Sequence, residues 1–70
     1  MGVFRTAFGT TIIEYLTTLR IASAQQALVN TERAISEIAL DSGFGSVSQF
    51  YAAFTRLCGR SPRVYRESLR

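Results

Sequence analysis

Apolar residues recur three and four positions apart through most of this chain, which is the period of an amphipathic α-helix. No stretch alternates apolar and polar residues as a strand does, and no internal repeat or Gly/Ser-rich linker divides the sequence. Seventy residues suffice for one small domain, and a hydrophobic share of 47% is too high for a disordered segment. The pattern predicts a single all-α domain over residues 1–70.

A long first helix is predicted over residues 11–29. Thr10 or Thr11 can cap its N-terminus, and Glu14 lies favourably in its first turn. At 1.5 Å per residue this helix is about 28 Å long, which makes it the longest element. The residues expected on its apolar face are Ile12, Ile13, Leu16, Leu19, Ala24, Ala27 and Leu28.

Three shorter helices follow, and glycine or proline marks their ends. Gly43 ends the first of them, Ser46 caps the second, and a proline in the first turn opens the last. Val64 and Tyr65 are expected on the buried side of the last helix. The predicted ranges are residues 34–42, about 46–58, and 61–69.

The segment around Gly43 has the residue types that a helix-turn-helix requires. Ala39 is small where two helices approach closely, and Gly43 can adopt the positive φ that reverses the chain. Phe44 is expected to fill the angle between the helices, while Phe50 and Phe54 fix the second helix by its buried face. Each of these is also an ordinary core residue, but a recognition helix needs such a core behind it.

The charge balance favours a polyanionic partner, because eight arginines against five acids give a net charge of +3. With no histidine and a single cysteine, the sequence predicts no metal site and no cofactor, and it gives no support to an enzymatic function. It contains neither an apolar run long enough to span a membrane nor the apolar core of a signal peptide, which predicts a cytoplasmic protein. Cys58 is expected to be a small buried hydrophobe rather than a redox sensor.

The second half of the chain contains a series of short motifs with characteristic spacing. They are Ile35-Ser36-Glu37-Ile38-Ala39, Gly43-Phe44, Phe50, Phe54, Gly59, Ser61-Pro62 and Tyr65-Arg66. Together they resemble the C-terminal signature of bacterial AraC/XylS-type transcription regulators. Upstream segments resemble that family's linker helix and the end of its first recognition helix. These are Glu14-Tyr15-Leu16, Leu19-Arg20-Ile21 and Ala24 for the linker helix, and Val3-Phe4-Arg5 with Phe8-Gly9 for the recognition helix.

The resemblance implies a homeodomain-like three-helical fold, in which a long linker helix precedes a helix-turn-helix and a short C-terminal helix. In this family the linker helix joins two helix-turn-helix units that occupy successive major grooves. Residues 11–29 would be the linker helix, 34–69 the second unit and 1–9 a remnant of the first. Either the gene product is truncated or the sequence is a fragment. The residues then expected to be exposed, and to promote self-association or marginal stability, are Val3, Phe4, Phe8, Ile12 and Ile13.

The resemblance also implies a site for double-stranded DNA, with residues 46–58 as the recognition helix. The positions expected to face bases are Ser46, Val47, Ser48, Gln49 and Ala52. The phosphate contacts are expected from Arg56, Arg60, Arg63 and Arg66, with pairing to an acid as the alternative for Arg66. Arg20 is expected to be structural and to bond Glu37 or Asp41. If three to five phosphates are neutralised, log K falls with log salt at a slope of roughly −3 to −4.5.

Three departures from the family pattern weaken the expected binding or folding. Ala52 and Thr55 replace long polar side chains that relatives often carry, and Ala34 replaces the usual N-cap at a cost of about 1 kcal/mol. Two functions therefore stay open: sequence-specific DNA binding by a transcription regulator, and a protein-interaction module that pairs with itself, an intact relative or RNA polymerase. No small-molecule effector is expected on this segment, because effector binding in the family belongs to another domain.

Overall fold

A computed structural model describes residues 11–69, and its regular elements are four helices. The all-α prediction is confirmed, and each predicted helix end lies within one residue of the observed one. The remnant of a first recognition helix that was predicted over residues 1–9 lies outside the described residues. The helices are α1 (Ile12–Asn30), α2 (Ile35–Asp41), α3 (Val47–Cys58) and α4 (Pro62–Ser68).

A capping box starts α1. The Thr11 hydroxyl accepts a hydrogen bond from the Glu14 backbone N–H at 3.0 Å, and the Glu14 carboxylate accepts one from the Thr11 N–H at 3.1 Å. Two N–H groups that the helix cannot bond internally are satisfied in this way. Of the two threonines that the sequence offered as caps, Thr11 is therefore the N-cap.

The core lies between the second half of α1 and the helix-turn-helix. Leu28, Phe50 and Phe54 are its largest buried members, with no side-chain exposure. The ring of Phe50 lies edge-on to that of Phe44 at a centroid distance of 5.3 Å, and Phe54 lies edge-on to Tyr65 at the same distance. Pro62 at the start of α4 is also buried, and the core residues among the described positions are Ile21, Ala24, Leu28, Ile38, Ala39, Phe50 and Phe54.

The prediction of the apolar face of α1 is wrong for its first half. Leu16 is 39% and Leu19 is 49% exposed, because α2, α3 and α4 pack against the later turns of α1. Ile21, which was not assigned to that face, is buried instead. On α4, Tyr65 is half-buried as expected, but Val64 is exposed because it points away from α1 and α3.

A glycine turn joins α2 to α3. Gly43 has a φ of +100°, as its position predicted, and its N–H donates to the Leu40 carbonyl at 3.1 Å. The next N–H, that of Phe44, donates to the Ala39 carbonyl at 3.3 Å. These two bonds form a Schellman motif, which needs a left-handed residue after the helix and so favours glycine there. The turn fixes the direction in which α3 leaves α2.

Candidate nucleic-acid interface

Helix α3 has one buried face and one exposed face. Ser46 caps it by accepting a hydrogen bond from the Gln49 N–H at 3.1 Å. Phe50 and Phe54 attach its inner face to the core, so the helix cannot rotate without losing the aromatic contacts described above. Its exposed residues are Ser48, Gln49, Ala52, Thr55, Arg56 and Leu57.

The structure divides the five residues predicted to face bases. Ser48, Gln49 and Ala52 share the exposed surface of α3, where a partner can reach them. Val47 is half-buried and packs against the core, and Ser46 is half-buried with its oxygen engaged in the cap. Contact of any of the five with a base stays a prediction.

The arginines around the end of α3 differ in how far their charge is already engaged. Arg56 is exposed and makes no ion pair or hydrogen bond with the rest of residues 11–69. Arg60 donates to the Ser68 hydroxyl at 3.2 Å. Arg63 lies 3.7 Å from the Glu67 carboxylate one helical turn away, and both side chains are more than two-thirds exposed, so this pair is weak. All three guanidinium groups can therefore still reach an external anion.

Arg66 has a different role. Its guanidinium donates to the backbone carbonyls of Leu28, Thr31 and Arg33 at 2.9, 3.3 and 2.8 Å respectively. These carbonyls lie at the end of α1 and in the loop after it, where a cation is favoured by the helix dipole. The alternative prediction, pairing with an acid, is wrong, because the partners are carbonyls that no local sequence signal indicates.

The prediction that Arg20 bonds Glu37 or Asp41 is also wrong. Both carboxylates pair with Arg33, whose Nε lies 3.6 Å from Glu37 and whose Nη2 contacts Asp41. The hydrogen bond to Asp41 is the main cause that raises the pKa of Arg33. Arg20 lies instead against the glycine turn, where its Nε would be 3.1 Å from a Cβ placed on Gly43.

Cys58 lies on the last turn of α3 and is half-buried beside the core. The Gln25 side-chain amide donates to its Sγ at 3.2 Å. Burial raises the pKa of the Cys58 thiol, and the hydrogen bond from Gln25 offsets part of that rise. A half-buried thiol with a raised pKa fits a packing role, as the sequence predicted.

Comparison with known proteins finds one matching family and several relatives. The chain matches a family described as helix-turn-helix domain over residues 2–68. It is 39% identical over 67 residues to the melibiose operon regulatory protein of Escherichia coli strain K12, an alignment that covers 96% of this chain and 22% of the relative. It is 45% identical over 65 residues to the HTH-type transcriptional activator RhaR of Cronobacter sakazakii, covering 93% of this chain and 23% of the relative.

The RhaR activator of Klebsiella pneumoniae is 43% identical over 67 residues, which cover 96% of this chain and 24% of the relative. The chain thus spans less than a quarter of the length of these curated relatives. No solved structure matches the chain significantly. In the described part of the chain, no helix is long and apolar enough to cross a membrane.

Proposed function

The chain belongs to the helix-turn-helix family of AraC/XylS-type transcription regulators, and on that premise we propose that it binds double-stranded DNA with α3 in the major groove. The observation that carries the proposal is the exposed face of α3, which joins small polar side chains to the unpaired cation Arg56. Phe50 and Phe54 on the buried face fix the orientation of α3, so the opposite face stays exposed. The relatives are named as an operon regulator and as transcriptional activators, which supports a promoter sequence as the target.

Base reading falls mainly to two residues. The Gln49 carboxamide can form a paired hydrogen bond with adenine, and the Ser48 hydroxyl can donate to or accept from a base edge. Ala52 leaves a smooth surface that admits a thymine methyl group. Ser46 and Val47 are assigned supporting roles, since the first caps α3 and the second packs on the core. This is a modest set of contacts, so we expect weak discrimination between sequences.

Phosphate binding is assigned to Arg56, Arg60 and Arg63, which surround the end of α3 and the start of α4. Arg66 is left out, because its hydrogen bonds to three carbonyls commit its guanidinium to the fold. Each arginine that replaces a counterion on DNA contributes about −0.9 to the slope of log K against log salt. The three arginines together are expected to give a slope of about −3.

The test is fluorescence anisotropy of a labelled duplex, titrated with the unaltered chain at several salt concentrations. The Arg56→Gln variant should bind more weakly, with a slope that is shallower by about 0.9. Gln26→Glu is the matched control. It also lowers the net charge by one, but Gln26 lies in a groove between α1 and α4 that Tyr65 and Leu69 also line, and not on the exposed face of α3.

Two results would contradict the proposal. One is the absence of binding at low salt by a sample whose circular dichroism shows it to be folded. The other is an equal loss of affinity in Arg56→Gln and Gln26→Glu, since that would trace binding to overall charge rather than to α3. A preference among duplexes that Gln49→Ala abolishes would support the assignment of Gln49 to base reading.

A second candidate function is association through α1. Its first half exposes a stripe of apolar side chains at helical spacing, formed by Ile12, Tyr15, Leu16 and Leu19. Contiguous apolar surface of this kind favours contact with another protein surface, and a second copy of the chain offers the same stripe. We propose self-association through this stripe as the alternative to, or companion of, DNA binding.

Sedimentation velocity over a range of concentrations tests the alternative. Association that Leu16→Lys abolishes would support it, because the charge lies in the middle of the stripe. Leu40→Lys is the control, since Leu40 is even more exposed than Leu16, at 54% against 39%, but lies on α2, outside the stripe. A monomer at every concentration would overturn it.

A further inference from the structure

Arg20 is a cation without a counterion in the described part of the chain. Its side chain is exposed, and no hydrogen bond or ion pair joins it to residues 11–69. The positions three and four residues away on α1 carry no acid, so no pair within the helix neutralises it. The two nearby acids on α2 are held by Arg33, as described above. The charge of Arg20 is therefore available to an external anion.

The position of this charge is fixed by the glycine turn. A Cβ at Gly43 would lie 3.1 Å from the Arg20 Nε and 3.5 Å from its Cδ, so the side chain lies across the turn that leads into α3. Gly43 precedes the N-cap Ser46 by three residues. Arg20 thus places its charge near the beginning of α3, whereas Arg56 lies in the last turn of the same helix.

Two cations with no partner among residues 11–69 consequently lie near opposite ends of the exposed face of α3. A helix of this length spans about 18 Å. The major groove is about 12 Å wide and is bordered by phosphates on both edges. A helix that crosses the groove with a cation near each end can bind one phosphate on each edge, which fixes its depth and angle without reading sequence.

We propose that Arg20 is a DNA-phosphate-binding residue, contributed by α1 and placed opposite Arg56 across the groove. This inference rests on the proposed DNA binding of α3 and extends it to a helix outside the helix-turn-helix. It assigns a second purpose to Gly43, which leaves room for the Arg20 side chain in addition to adopting a positive φ.

The experiment compares three variants with the unaltered chain in the duplex titration at several salt concentrations. Arg20→Gln removes the charge, Arg20→Lys retains it, and Gln26→Glu again serves as the control of equal net charge. Gln26 is six positions from Arg20 and therefore about 120° around the axis of α1. Because Arg20 is exposed and makes no hydrogen bond, Arg20→Gln should unfold at the same temperature as the unaltered chain.

The expected result is a salt slope shallower by about 0.9 in Arg20→Gln, and an unchanged slope in Arg20→Lys and in Gln26→Glu. A slope that Arg20→Gln leaves unchanged, in a chain that binds DNA, overturns this inference alone. An equal change in Arg20→Gln and Gln26→Glu also overturns it, since the effect then follows net charge. If the unaltered chain binds no duplex, the proposed function fails and this inference fails with it.

Discussion

Arg66 connects parts of the fold that lie far apart in the sequence. It is half-buried on α4, yet its three hydrogen bonds reach carbonyls at the end of α1 and in the loop before α2, between 33 and 38 residues away. Charge-assisted hydrogen bonds to partly buried carbonyls are stronger than those between neutral groups. A single side chain thereby ties α4 to the beginning of the helix-turn-helix.

We predict that Arg66→Gln lowers the free energy of unfolding by about 2 kcal/mol, because the carbonyls lose a charged donor. Arg63→Gln, which removes an arginine from the same helix and loses only an exposed ion pair, should cost less than about 0.5 kcal/mol. Urea denaturation of both variants measures the difference. Equal losses would show that the three hydrogen bonds donated by Arg66 add nothing to stability beyond the effect of a surface charge.

A second prediction at this scale concerns the pH dependence of Cys58. Its pKa is raised by burial above an ordinary value of 9.0, so the folded state favours the neutral thiol. The resulting stabilisation is complete below that ordinary pKa and is lost as the pH rises through the folded pKa. The free energy of unfolding of the unaltered chain, relative to that of Cys58→Ala, should therefore be constant at neutral pH and fall only as the pH rises past 9.0.

Chemical or thermal unfolding of the two chains across this pH range provides the measurement. The two chains differ only at residue 58, so the contributions of all other groups cancel in the difference. A difference that stays constant with pH would contradict a raised pKa for Cys58.

Single-residue roles were predictable where the signal is local and were missed where the partner is distant. The left-handed conformation of Gly43 follows from its position directly after a short helix. The carbonyl partners of Arg66 depend on how α4 packs against the end of α1, so nothing near Arg66 in the sequence reveals them. Arg20 lost its expected acids because Arg33, just before α2, pairs with both of them.

At the scale of the helices, the four N-termini are capped unequally. Thr11, Ser46 and Ser61 each accept a backbone N–H with a side-chain oxygen. Ala34, the N-cap of α2, has the extended backbone of a cap but no oxygen to offer. Helix α2, the first helix of the helix-turn-helix, therefore lacks the side-chain hydrogen bond that caps the N-termini of the other three helices. It is also short, with seven residues.

We predict that Ala34→Ser raises the free energy of unfolding by about 1 kcal/mol, since the new hydroxyl can accept from the first turn of α2. Ser46→Ala should lower it by a similar amount, because the hydrogen bond from Gln49 is lost. Ser48→Ala is the control, as Ser48 lies inside α3 and its hydroxyl has no partner in residues 11–69. Thermal or urea unfolding gives all three values, and a stabilising Ser46→Ala would refute the capping assignment.

Helix ends were the most predictable feature of this chain, because their signals lie within a few residues of each end. The threonine and serine caps, the glycines after α2 and α3, and the proline opening α4 all act through neighbouring backbone groups. The face that a helix buries is less predictable. Leu16 and Leu19 fit the period of a buried stripe, but burial also requires another element to cover them.

Across the whole molecule, the core is unevenly distributed along α1. Ile21, Ala24 and Leu28 are buried, whereas the large apolar residues of α1 before Ile21 are at least 37% exposed. Within residues 11–69, α2, α3 and α4 hold the second half of α1, while the first half has its capping box and its own backbone hydrogen bonds. A short helical segment without tertiary contacts is only marginally stable in water.

This unequal support should appear as a gradient of amide hydrogen exchange along a single helix. The amides near Leu28 can exchange only when the domain unfolds, whereas those near Leu16 can exchange when the first turns open locally. We predict slow exchange after Ile21 and progressively faster exchange towards Thr11, measured residue by residue by NMR. Uniform protection along α1 would contradict this. In such a helix the first turns can rearrange while the helix-turn-helix that packs on its second half stays folded.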